Sequence, residues 1–386
     1  MNNRWMILAV LFVARIGLGF QFQTMGSVSG ELATELDLNY TQIGTLIGLF
    51  MVPGVFLSIP AGIAGRFVSD RFIVGLGLVT LGAGGALASI AESFEMLTAA
   101  RLICGAGFVF STIFLTKIVA DYFSGKELAT AMGVFVMSWP CGIALGQVGH
   151  GWLAANMDWR MAFVVASIYC VIGALLVVIF CRTAPDAAVQ TGGFRFTLSR
   201  NETFLIIVAS FVWALFNAGY VVYLSFAPSV LISAGYDSVS ALSVISLASW
   251  LMVISGVVCG MIADRSGKAD LVLYICMAAA ITGILILFIT PLAIPSSVLF
   301  GLMGIAPAGV IMALTGQAMK PENRAVGMGI FFTTYFLVQS PAPAIAGWLY
   351  DLTLNEFWPM LFAIVLFFFT AVANIVFRMV QKRFPI

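Results

Sequence analysis

Charged side chains are scarce in this chain: Asp, Glu, Lys and Arg make up 9% of its 386 residues, against roughly 25% in an ordinary soluble domain. With 61% hydrophobic residues and a mean hydropathy of +1.07, there is far more apolar surface than a water-facing shell could cover, which excludes a soluble protein. Basic runs are missing as well. The 18 Lys and Arg nearly balance the 17 Asp and Glu, and they nowhere cluster densely enough to grip phosphates, so nucleic acid is not an expected partner. Histidine occurs once, at His150, and no Cys-x-x-Cys appears. Haem, zinc and iron–sulfur sites are therefore not expected, and neither is any cofactor or bound metal. The cysteines, Cys104, Cys141, Cys170, Cys181, Cys259 and Cys276, lie in or at the ends of apolar runs and read as small core residues. No nucleophile, base and orienting group fall at a recognisable spacing, so the chain is not expected to be an enzyme.

What is present is a series of continuous apolar segments about twenty residues long, which select membrane-spanning helices over a barrel. They predict an all-α polytopic membrane protein with twelve transmembrane helices, at 5–29, 41–64, 72–91, 96–120, 127–150 and 159–181, then 204–232, 240–263, 271–290, 296–318, 325–346 and 358–379. The first is too long for a signal-peptide core and no small-residue cleavage site follows it, so it is expected to stay in the mature protein. The longest polar stretch, 182–203, reads as a cytoplasmic linker between an N-terminal six-helix bundle, 1–181, and a C-terminal one, 204–386. An even number of spans puts both termini on one side. That side holds fourteen Lys and Arg, from Arg4 to Arg383, and the other side only Arg160. The bias predicts an inner (plasma) membrane protein with both termini in the cytoplasm.

The halves repeat. Gly62 to Arg71 (GIAGRFVSDR) corresponds to Gly260 to Ala269 (GMIADRSGKA) at a shift of 198; Met132-Gly133-Val134-Phe135 matches Met328-Gly329-Ile330-Phe331, and Gly151-Trp152-Leu153 matches Gly347-Trp348-Leu349, both at 196. On these residues the sequence resembles the major facilitator superfamily over essentially its full length. GMIADRSGK at Gly260 to Lys268 is similar to that family's loop signature, and Arg101 to Gly107 (RLICGAG) to its fourth-helix motif. Gly142, Gly146 and Gly149 near Pro140 resemble its fifth-helix motif. The first-half loop departs from the pattern, with Arg66 where the family places Asp and Ser69 where it places Gly. The resemblance implies two pseudo-symmetric six-helix bundles, a monomer, and alternating access as one bundle rocks against the other. Charge pairs of Asp264, Arg265 and Lys268, and of Arg66, Asp70 and Arg71, would lock helix ends in one state and break in the other; the simpler reading of these loops is topogenic. Gly142 and Gly146 are expected to serve close helix packing.

All seventeen acids lie away from the middle of a span, while Arg15, Arg101 and Lys117 lie inside spans. Arg15 sits near the midplane of the first helix, where an arginine costs about 2.5 to 3.5 kcal/mol and cannot escape by losing its proton. With no carboxylate in the spans to pair with it, the expected partner is an anion brought in by the substrate. The alternative is that Arg15 hydrogen-bonds backbone carbonyls or Gln side chains and merely joins helices. Arg101 is expected to bond backbone or polar groups of a neighbouring helix, or else to present a second charge to the anion. It shares a stripe with Gly105, Phe108 and Thr112. Lys117 should pair with Asp121, four residues on, and His150 reads as a residue at the end of its helix. Other polar and aromatic candidates for a substrate pocket are Gln23, Trp139, Gln147, Trp213, Asn217, Tyr220, Trp250, Tyr335 and Gln339.

These features predict a secondary transporter of a small anion, an organic carboxylate or inorganic oxyanion. Arginine in the middle of the first helix resembles the cyanate and nitroimidazole permease group and the anion:cation symporters. Two other functions fit the scaffold: a proton-coupled exporter of apolar or cationic compounds, whose usual buried acid is not found, and a membrane receptor that does not transport.

Overall fold

Hydrocarbon offers the backbone no hydrogen bonds, so an apolar run must satisfy its own N–H and C=O groups as a helix. The computed structural model describes residues 4–64, 68–123, 127–181, 198–320 and 323–383, and they are helical almost throughout, with no strand among them. The first half contains α1 (Arg4–Ser27), α2 (Ser29–Glu35), α3 (Tyr40–Leu49), α4 (Val52–Ala64), α5 (Asp70–Ser89), α6 (Phe94–Tyr122), α7 (Leu128–Val136), α8 (Ser138–Asn156) and α9 (Trp159–Phe180). The second contains α10 (Arg200–Ser233), α11 (Ser238–Ser266), α12 (Ala269–Ile289), α13 (Ala293–Leu299), a π-helical turn (Phe300–Gly304), α14 (Ala308–Met312), α15 (Leu314–Ala318), α16 (Arg324–Gln339), α17 (Ala342–Thr353) and α18 (Phe357–Arg383). Eleven stretches among the described residues are long and apolar enough to cross a bilayer. The remaining expected span, 325–346, is divided into α16 and α17 at Ser340, where Pro341 and Pro343 remove N–H donors. Most of the expected linker, residues 182–197, lies outside the described residues, as do Arg66 and Lys126.

Contacts divide the chain into two compact units, Met1–Leu38 with Leu49–Gly193, and Asn39–Gly48 with Phe194–Ile386. In unit 1, α5 packs on α6 and α9, and α1 on α8 and α9. In unit 2, α10 packs on α16 and α18, and α12 on α18. Ser199 and Glu202 form a reciprocal cap at the start of α10. The buried Glu202 carboxylate also accepts from the Lys320 N–H (3.1 Å) and from Asn323 Nδ2 (2.9 and 3.1 Å), tying α10 to the turn before α16. It is a saturated structural acid.

The start of the second span belongs to unit 2 because of one carboxylate and several small residues. Asp351, on α17, accepts from the Tyr40 N–H (2.9 Å), the Thr41 N–H (2.7 Å) and the Thr41 hydroxyl (2.5 Å). It thereby serves the free donors at the first turn of α3. The Tyr40 ring lies 4.2 Å from that of Tyr350. Gly347 lets the two backbones meet: a Cβ there would collide with the Tyr40 carbonyl, as one at Gly44 would with that of Pro343. In Asp351→Ala, loss of the cap should cost about 0.5–2 kcal/mol. Hydrogen exchange at Tyr40 and Thr41 should speed up accordingly, with exchange in α5 and α6 unchanged; equal protection of Tyr40 and Thr41 in variant and wild type would refute the capping role.

In unit 1, Trp159 Nε1 donates to Glu35 Oε2 (2.6 Å) and Arg160 Nη1 lies 2.7 Å from Glu35 Oε1. The indole bond first, and the guanidinium next, hold the Glu35 carboxyl below the usual glutamate range. A lowered folded-state value contributes stability that is present above the ordinary glutamate pKa and lost as pH falls through the folded one. The apparent Tm advantage of wild type over Glu35→Gln should therefore be constant near neutrality and shrink below the usual glutamate range. An advantage that does not change with pH would argue against it.

Candidate functional site

A proline sets the geometry of unit 1. Pro140 has no N–H to offer the Val136 carbonyl four residues before it, and the fifth span breaks at Met137, between α7 and α8. Arg15, on α1, supplies the donor. Its Nη1 lies 2.9 Å from the Phe135 carbonyl oxygen, 3.1 Å from that of Val136 and 3.3 Å from Ser138 Oγ. The Phe135 ring covers the guanidinium at 4.6 Å. Nε is buried without a partner, and Nη2 makes no hydrogen bond among the described residues. Of the two expectations for Arg15, joining helices thus accounts for Nη1 alone. The unused edge, Nε with Nη2, presents two parallel N–H vectors, the arrangement a carboxylate accepts with both oxygens.

Beside this break, four rings, from α1, the turn between α3 and α4, α6 and α8, form a closed set. Phe22 lies 5.3 Å from Phe50, Phe50 5.1 Å from Phe108, Phe108 5.4 Å from Trp139, and Trp139 5.5 Å from Phe22. The three phenylalanines are buried and Trp139 is half-buried. Arg101, fully buried, stacks 4.7 Å over Phe50 and donates to the Gln21 (3.4 Å) and Phe22 (3.3 Å) carbonyls. Those bonds join α6 to α1. Thr112, on the Arg101 stripe, has a buried hydroxyl without a partner. Gln23 donates to Ser27 Oγ (3.4 Å), which donates to the Gly146 carbonyl (3.3 Å). His150 corrects an expectation: it sits inside α8, fully buried and 4.2 Å from the Phe20 ring, since the helix continues to Asn156. Among the described residues neither its nitrogens nor the amide of the equally buried Gln147 has a hydrogen-bond partner.

Unit 2 places Trp213 where the 198-residue shift carries Arg15, and Tyr335 where the 196-residue shift carries Trp139. Their rings are 6.2 Å apart. Asn217 donates to the Trp213 carbonyl of its own helix (2.8 Å), and Tyr220 shares a hydrogen bond with Ser249 (2.8 Å). Gln339 is buried on α16. Trp250 is not brought to this group: it is exposed, on the α11 face that carries Ile254, Val257 and Met261. Tyr223, expected beside the Trp213, Asn217 and Tyr220 stripe, pairs with Ser297 (3.2 Å) and stacks 3.9 Å from Phe300 in the π-helical turn.

The expected charge locks differ in detail. Lys117 meets Asp70 at 2.6 Å and its helical neighbour Asp121 at 3.8 Å, so the cross-helix pair is the shorter one. Arg71 stacks on Phe72 at 4.7 Å. Asp264, Arg265 and Lys268 are exposed and form no ion pair among the described residues, with Gly267 ending α11 at φ +64°. The charged contact at that end is made instead by Asp270, whose two oxygens each lie 2.9 Å from Arg378 Nε.

Comparison with known proteins agrees with this architecture. The family model described as Major Facilitator Superfamily matches residues 7–343. The hexuronate transporter of Bacillus subtilis is 22% identical over 90% of this chain and 88% of its own, and the cis,cis-muconate transport protein of Acinetobacter baylyi 24% identical over the same shares. An MFS-type efflux pump of Mycolicibacterium smegmatis is 26% identical over 91% of this chain and 85% of its own. Among solved structures, the nucleoside transporter NupG superposes with a TM-score of 0.77 at 15% identity, covering 98% of this chain and all of that one. A bacterial homologue of the lysosomal transporter Spinster does so with 0.75 at 16%, covering 99% and 97%.

If Arg101 joins helices, Arg101→Met should lose about 1–3 kcal/mol and lower the apparent Tm of the detergent-purified protein by several degrees. Arg15→Gln should lower it less, since a serine hydroxyl already serves one of the same carbonyls, Ser138 Oγ lying 2.6 Å from the Phe135 oxygen. The reverse order would contradict the roles drawn from the bonds.

Proposed function

The chain belongs to the Major Facilitator Superfamily, and from that premise we propose that it is a secondary transporter of a small anion, an organic carboxylate or an inorganic oxyanion, working by alternating access. It acts as a monomer in the inner membrane, with both termini in the cytoplasm. The observation that carries the anion is the unused Nε–Nη2 edge of Arg15. A guanidinium never deprotonates in proteins, and of its three nitrogens here only Nη1 is engaged, by two carbonyls and one hydroxyl. The buried carboxylate of unit 2, Glu202, is saturated and lies in another unit, so cargo is the partner this edge fits. Two relatives named for hexuronate and muconate support the charge class. The relative named as an efflux pump supports export as a second reading of direction.

The test is ligand-induced stabilisation followed by transport. Benzoate, muconate, glucuronate and nitrate are titrated against the purified protein, since a bound substrate raises the apparent Tm by mass action. The anion that binds is then followed in counterflow in both directions across proteoliposomes. Arg15→Gln should weaken its binding by tenfold or more, with Arg15→Lys intermediate because one ammonium cannot reproduce the two-pronged edge. Unchanged affinity and rate in Arg15→Gln would remove the anion from the assignment.

A further inference from the structure

The same corner of unit 1 carries information about the shape of the cargo. Resting on the anion reading above, we infer that the substrate is a planar acid, aromatic or conjugated, whose flat face lies on Trp139 while its carboxylate meets Arg15.

Trp139 and the guanidinium are rooted at one point. Ser138, the residue before Trp139, has its Oγ 3.3 Å from Arg15 Nη1. The indole is fixed from behind by Phe22 and Phe108, at 5.5 and 5.4 Å and tilted by 38° and 49°. It is the most accessible ring of the four: Phe22 is 3% exposed, Phe50 0% and Phe108 6%, whereas Trp139 is half-buried. A rigid, backed indole that is half-buried, one residue from the serine that contacts a guanidinium whose Nε is buried and unbonded, is a surface for a flat molecule with a charged edge. In such a molecule the carboxylate is conjugated with the ring or diene and stays in its plane, so both contacts form at once with little conformational entropy to lose.

The hydrogen-bonding inventory points the same way. A polyhydroxylated acid needs several donors and acceptors, and the hydroxyl that contacts the guanidinium is already engaged. Ser138 Oγ donates to the Phe135 carbonyl at 2.6 Å. What the Arg15 corner presents is one guanidinium edge without a hydrogen bond and one half-buried aromatic ring.

Benzoate and cyclohexanecarboxylate separate this inference from the anion reading. They share a carboxylate and a six-carbon ring, are both ionised at pH 7, and differ in planarity. The saturated ring is the more apolar, so burial alone would favour it. Titrated against purified wild type by thermal shift or calorimetry, benzoate should bind roughly three- to tenfold tighter. Trp139→Leu should bring that ratio close to one with little change for cyclohexanecarboxylate, and Trp139→Phe should keep part of it. Equal or inverted affinities in wild type, a comparison that needs no variant, would overturn the planar assignment and leave a carrier of small anions. A ratio that survives in Trp139→Leu would overturn the role of the indole. Binding of neither acid, nor of any other anion, would overturn the anion reading itself and this inference with it.

Discussion

Two unmet needs meet between α1 and α8. A proline inside a membrane span strands a carbonyl where no water can reach it, and an arginine in the neighbouring span brings a charge that hydrocarbon cannot solvate. The Val136 carbonyl released by Pro140 and the Arg15 guanidinium answer each other at 3.1 Å. The answer is partial: the carbonyl is served, the cation is not. Close approach makes the exchange feasible, because a Cβ at Gly19 would strike the Trp139 carbonyl and one at Gly142 that of Ile16. The break, the glycines and the arginine therefore form one structural unit, and the aromatic set built on Trp139 is anchored to it.

Much of this architecture is legible in the amino-acid sequence, for a simple reason. A bilayer sets one length scale, and continuous apolar runs of that length can do little except span it, so the helices and their order follow from counting. The interruptions were equally visible as Pro53, Pro140, Pro341 and Pro343, yet hydropathy averages over them; a span written as 127–150 hides that it is α7 and α8 meeting at Met137. The partner of Arg15 could have been sought there, since each proline frees the carbonyl four residues earlier. Which helix would supply the donor is a tertiary fact that no spacing within one span reveals.

The residues read less well have physical reasons too. Trp250 was grouped with the pocket by residue type, but on α11 it falls in line with Ile254, Val257 and Met261, an exposed apolar stripe. Lys117 was assigned to Asp121 because they are a turn apart, while α5 delivers Asp70 1.2 Å closer. Phe22 and Phe50 carried no signal, and Phe108 only its place on the Arg101 stripe, since any apolar side chain could occupy a buried position and only the fold closes them into a set around Trp139. Local rules find helices; contacts between helices decide chemistry.

The two halves also let the two readings of Arg15 be weighed against each other. Under the 196-residue shift, Phe135 corresponds to Phe331, and in unit 2 the Phe331 carbonyl accepts a 2.6 Å hydrogen bond from Ser210, on the α10 helix that corresponds to α1. A neutral hydroxyl is enough to join the two helices at that carbonyl. The position that corresponds to Arg15 itself, Trp213, carries no charge, and unit 2 packs α10 on α16 without one. If joining helices were the whole task in unit 1, a serine or an asparagine would perform it without the roughly 2.5–3.5 kcal/mol that a mid-span guanidinium costs on insertion scales. The charge exceeds what the packing requires, and the excess lies on the Nε–Nη2 edge that no residue of unit 1 fills. That surplus sets Arg15 apart from its unit 2 counterpart, Trp213, in an otherwise repeated fold.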